Sequence, residues 1–139
     1  MTQLSGRAVA AYGRAAETLP PAQQILMLYD GAARRVEEIK AAIAAGDVEA
    51  RYRLTRKAAA IVDGLQACLD HEQGGEIARL LDRLYTYVTL RLAEVNTRND
   101  PGICDEILAR LADLRTGWAG IAQNPGLTAG RGSQPASAA

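Results

Sequence analysis

After Pro21, the apolar residues Ile25, Leu28, Ala32, Val36, Ile39 and Ile43 recur three or four positions apart, the spacing that sets side chains on one face of an α-helix. The pattern predicts a long amphipathic helix that stops at Gly46, a residue suited to the left-handed backbone of a C-terminal cap, with Asp47 capping the next helix. Leu54, Ala58, Ile61, Leu65 and Cys68 continue the rhythm as helix two. At Gly74-Gly75 the pattern breaks; Gly74 is expected to end helix two at positive φ and Gly75 to reverse the chain. Helix three then opens at Glu76, near the positive end of its own dipole, and carries Ile77, Leu81, Leu84, Val88, Leu92 and Val95, with Leu80 and Tyr85 widening the stripe. Asp100-Pro101 reads as an N-cap followed by proline at the first helical position. Helix four runs on through Ile103, Ile107, Leu111, Leu114, Trp118 and Ile121.

Four helices of about 22–25 residues joined by short loops must lie antiparallel to their sequence neighbours. The expected fold is therefore all-α, an antiparallel up-down-up-down four-helix bundle over residues 21–123. Residues 1–20 are expected to form a mobile N-terminal segment. Residues 124–139, rich in Gly, Ser, Ala and Pro, are expected to be a disordered tail, because they hold too few large apolar groups to offset the entropy of ordering.

At 139 residues there is room for one core. Sixteen Lys and Arg balance sixteen Asp and Glu, so no overall field draws nucleic acid or an anionic membrane. The longest strongly apolar run, ILMLY at 25–29, is too short to span a bilayer, which excludes stable membrane insertion by that run. Arg7 and Arg14 interrupt the N-terminus where a secretory signal needs an apolar stretch, and the chain is placed in the cytoplasm. Cys68 and Cys104 lack the spacing of a zinc site or a disulfide framework and read as small buried hydrophobes.

Candidate chemistry is thin. His71 is the one histidine, and an exposed helical histidine could carry a phosphoryl group. Asp70 and Glu72 beside it would repel that charge, and the competing reading is a surface histidine near a helix C-terminus. No second histidine accompanies it for a metal, carboxylate pairs such as Glu72 with Glu76 have no catalytic partner, and Gly74-Gly75 lacks a phosphate-cradling pattern. No catalytic residue, metal or cofactor is assigned. Tyr29, Tyr85 and Tyr87 lack the basic cluster of a base-stacking platform and are expected in the core with their hydroxyls at its edge.

A binding protein remains, and second apolar stripes run beside the core stripes: Leu26 with Ala33, Tyr87 with Leu90, Cys104 with Leu108. They fit either a wide core face or shallow grooves that accept an amphipathic segment of a partner. Self-association as a homodimer would use the same surface.

Five blocks carry a family resemblance: ILMLYDGA at 25–32, AGDVEA at 45–50, LDHEQGGEIARLLDRLYTYV at 69–88, NTRND at 96–100 and DLRTGW at 113–118. From about Val9 to Trp118 the chain resembles the flagellar secretion chaperones of the FliS family. The resemblance implies an antiparallel helical bundle that binds the C-terminal segment of flagellin, prevents premature polymerisation and is delivered as the flagellin complex to the export apparatus protein FlhA. It also implies an N-terminal cap over the client groove, with Val9 and Tyr12 at the matching positions. The candidates for the groove itself are Leu26, Tyr29, Tyr87, Leu90 and Leu108. Asn96, Asn99 and Asp100 are read as shaping the third corner. The chain departs from the family in having Pro20-Pro21 where a Ser-Pro helix start is usual and a shorter stretch between Tyr12 and helix one. Histidine phosphotransfer and a self-associating structural bundle stand as the alternatives.

Overall fold

Three capped corners divide the chain. The computed structural model describes residues 22–123, all but the corners helical: α1 (Ala22–Ala45), α2 (Val48–Ala67), α3 (His71–Arg98) and α4 (Pro101–Gln123). At the first corner Gly46 takes φ 69°, and the Asp47 carboxylate accepts from the Ala50 backbone N–H at 3.0 Å, as the sequence predicts. At the third, Asn99 closes α3 in the left-handed conformation at φ 54°, tolerable for asparagine. Asp100 then accepts from Gly102 N at 2.8 Å, with Pro101 as the first residue of α4.

The second corner differs from expectation. The helix α2 ends at Ala67, before the glycines, and Asp70 starts α3 by accepting from Gln73 N at 3.0 Å. The positive φ belongs to Gly75, at φ 51° and ψ −123°, and not to Gly74; it interrupts α3 after its first turn instead of closing α2. Gly74 is needed for space, since a Cβ there would meet the Ala78 Cβ at 2.8 Å. His71 consequently opens α3 rather than ending α2, at the helix end whose dipole disfavours a cation.

The helix α1 packs on α2 and α4, and α3 closes the ring between α2 and α4, giving the up-down-up-down bundle. Its core is a single cluster holding Ile25, Tyr29, Ala32, Val36 and Ile39 of α1; Leu54, Ala58, Val62 and Leu65 of α2; Leu81, Tyr85, Val88, Leu92 and Val95 of α3; and Ile103, Cys104, Ile107, Leu111 and Trp118 of α4. Relative to the predicted stripes the helices are slightly rotated. Tyr29, Val62 and Ala78 are buried, whereas their neighbours Leu28, Ile61 and Ile77, with Leu84 and Leu114, sit half-buried at the seams. Cys104 is fully buried, but Cys68, expected inside, is half-buried at the end of α2. The N-terminal segment with Val9, Tyr12, Pro20 and Pro21, and the tail from residue 124, lie outside the described residues.

Candidate functional site

The five groove candidates do not share one surface. Tyr29 is 1% exposed, deep in the bundle, where its hydroxyl meets that of Tyr85 at 2.7 Å across the diagonal between α1 and α3. These two hydroxyls lie inside the core and not at its edge, because pairing satisfies groups that would otherwise need water. Leu26 and Leu108 are half-buried. Leu26 stands one turn from Asp30, and Leu108 lies between Asp105 and Arg115; the pairs Asp30–Arg115 and Lys40–Asp105 bridge α1 and α4, so both leucines flank that seam.

Tyr87 occupies the α3–α4 seam. Its hydroxyl donates to Glu106, and the Arg110 guanidinium lies over its ring at 5.4 Å from the centroid. Arg91, one turn on, donates to the same Glu106 through Nη2 at 2.6 Å and Nε at 3.1 Å and also holds Glu94. One turn back along α3, the seam opens into a recess of about 200 Å³ lined by Leu84, Val88, Arg110, Asp113 and Leu114. The recess has an apolar floor and a rim of one cation and one anion. Leu90, on the outer pole of α3, is 63% exposed, a large apolar side chain left in water.

Sequence reading missed this recess, because Leu84 and Leu114 were assigned to the core stripe and nothing local marks Arg110 or Asp113 as their neighbours. It also missed Arg51. This arginine, 7% exposed, donates to Asn96 Oδ1 at 3.1 Å, to the Asn96 carbonyl at 3.2 Å and to Asn99 Oδ1 at 2.7 Å. Asn96 in turn donates to Thr55 Oγ1 at 3.0 Å. Asn96 and Asn99 thus tie the third corner to α2, in line with the role expected of them, and the planar guanidinium fork fits the task.

Charge at the α1–α4 seam shows in the titrating groups. The hydrogen bond from Arg115, at 2.6 Å and 3.1 Å, holds the Asp30 carboxyl below its usual range, and Asp30 raises Arg115 in return. Asp105 raises Lys40 in the same way. Burial pushes the Cys104 thiol up to about 11, so it is no nucleophile at neutral pH. Among the described residues no group of three or more His, Cys, Asp and Glu side chains is gathered to hold a metal, and no helix is long and apolar enough to cross a membrane.

An all-α bundle with an apolar-floored recess at one seam and an exposed leucine on the same helix carries surface of the kind that binding proteins use. The family is specific: a profile described as flagellar protein FliS matches residues 7–125, and the chain belongs to that family. It is 40% identical over 101 residues to the flagellar secretion chaperone FliSB of Pseudomonas aeruginosa, covering 73% of this chain and 80% of that protein. It is also 40% identical over 99 residues to the flagellar secretion chaperone FliS of Salmonella typhimurium, covering 70% and 73%. The Vibrio cholerae flagellar secretion chaperone FliS is 32% identical over 98 residues.

Proposed function

We propose that this member of the FliS family is a cytoplasmic chaperone of flagellar secretion that binds the disordered C-terminal segment of flagellin, blocks its premature polymerisation and hands the complex to FlhA. The observation that carries the reading is the recess in the α3–α4 seam, with Leu84, Val88 and Leu114 as its apolar floor, in a chain of this family that also leaves Leu90 exposed on the outer pole of α3. A disordered client that folds into helices along such seams buries a large apolar area. The cost of ordering it moderates the affinity, and that suits a partner that must be released. Val9 and Tyr12 would cover the groove in the free protein and give way to the client. The chain acts by binding and not by catalysis.

Calorimetric titration with a peptide of the C-terminal segment of the same organism's flagellin tests this, with helicity followed by circular dichroism. One-to-one binding with a gain in helix and a negative heat-capacity change is expected. Absence of binding at high micromolar peptide would remove the reading. Tyr12→Ala should alter that affinity with little change in melting temperature; an unchanged affinity would remove the cap.

A further inference from the structure

Arg53, Arg56 and Lys57 are exposed on α2, three and four residues apart and so on one helical face. Among the described residues no ion pair engages any of them, although Arg35, Lys40, Arg79, Arg91, Arg98 and Arg115 each hold a carboxylate. On the same helix Glu49 stands four residues before Arg53, within side-chain reach but forming no ion pair with it, and Asp63 lies six residues beyond Lys57. Beside Arg56 the side of α3 turned towards α2 carries Thr89, Ala93 and Asn96, and Asp82, two turns before Thr89 on that side, accepts from Gln66 at 2.8 Å.

Beside Arg56 the α2–α3 seam opens into a recess of about 190 Å³, lined by Thr55, Ala59, Thr89, Leu92, Ala93 and Asn96. Its polar groups are already engaged. Thr55 bonds to the Tyr52 carbonyl, Thr89 to the Tyr85 carbonyl, and Asn96 to Thr55 and Arg51. The floor therefore suits a small or apolar side chain, and any polar selectivity falls to the three cations.

We propose that this seam is a second docking surface, for an acidic helical segment of a partner protein that sets a small or apolar side chain in the recess and its carboxylates against Arg56, which lines the recess, and against Arg53 and Lys57 on the outer face of α2. The surface is distinct from the α3–α4 recess, which lies across α3 on the side of Leu84 and Val88. A protein segment fits better than nucleic acid, because three cations on about one turn of helix meet few phosphates, and no stacking aromatic lines the recess.

The test uses the full-length isotope-labelled chain and a synthetic helical peptide of repeated Glu-Ala-Ala-Leu units, followed by amide chemical shifts at low salt. Saturable shifts confined to residues 53–59 and 89–96 are expected, fading with added salt and absent with a peptide in which Gln replaces Glu. Arg53→Ala with Arg56→Ala and Lys57→Ala should weaken binding about tenfold at unchanged melting temperature, the loss of three screened surface pairs. Ala93→Leu, which fills the recess and keeps the charges, should weaken it as well. Shifts elsewhere, equal binding of the Gln peptide, or wild-type affinity in the triple variant would each overturn the proposal. So would a preference of this face for a single-stranded oligonucleotide or phosphatidylglycerol vesicles over the peptide.

Discussion

The hydroxyls of Tyr29 and Tyr85 face each other at 2.7 Å inside the bundle, and the contact joins α1 to α3 across the diagonal. Tyr85 is 2% exposed, so removing either hydroxyl deletes a bond that water cannot easily replace. Tyr29→Phe should destabilise by about 1 kcal/mol. Replacing both tyrosines with phenylalanine should cost less than the two single changes added together, because the pair then leaves as a unit. Urea denaturation of the four proteins measures the coupling; strict additivity would show that the bond contributes nothing.

The glycines of the chain should respond in opposite directions. Gly75→Ala forces an L-residue into φ 51° and ψ −123° and should destabilise by about 1–3 kcal/mol. Gly74→Ala, with its Cβ driven against Ala78, should destabilise to a similar extent of about 1–3 kcal/mol. Gly64, inside α2 with open space around a new Cβ, is the contrast: Gly64→Ala should raise stability by about 0.5–1 kcal/mol. Thermal melts of the three variants decide the matter.

Arg51 supports the third corner through three hydrogen bonds to Asn96 and Asn99. Arg51→Ala should cost about 2–3 kcal/mol, since it leaves part-buried amide groups without their charged donor. Arg51→Lys should recover only part of the loss, because an ammonium cannot reproduce the fork. Full recovery in the lysine variant would mean that charge alone matters at this position.

Acid and alkali should each find one group. Asp30 is depressed in the folded state, so its contribution is present above the ordinary carboxylate value of 3.8 and is lost as pH falls through the lower folded value. In Asp30→Asn the acid limb of the stability profile should be shallower. Cys104 is shifted the other way, from 9.0 to about 11. Its contribution is whole below 9.0 and declines as pH rises towards 11, so Cys104→Ala should flatten the profile there. A thiol reagent at neutral pH should modify half-buried Cys68 first and reach Cys104 only as the bundle opens.

Local chemistry made much of the fold legible. Gly46 with Asp47 and Asp100 with Pro101 are short-range devices, and a cap needs only residues within one turn of it. The sequence by itself therefore determined four helices, two of the three corners and the faces that turn inward. Asp70 and Gln73 hold the signal for the second corner as well, but the glycine pair that follows is the stronger local helix breaker and masks it. Only the tertiary structure decided which edge of each wide stripe is buried, Tyr29 over Leu28 and Val62 over Ile61, because adjacent apolar positions qualify equally until a neighbouring helix packs on one of them. It also decided the partners of Arg51, which lie 45 and 48 residues away, and the two recesses. Those depend on how neighbouring helices are rotated about their axes, and periodicity along one helix cannot specify that.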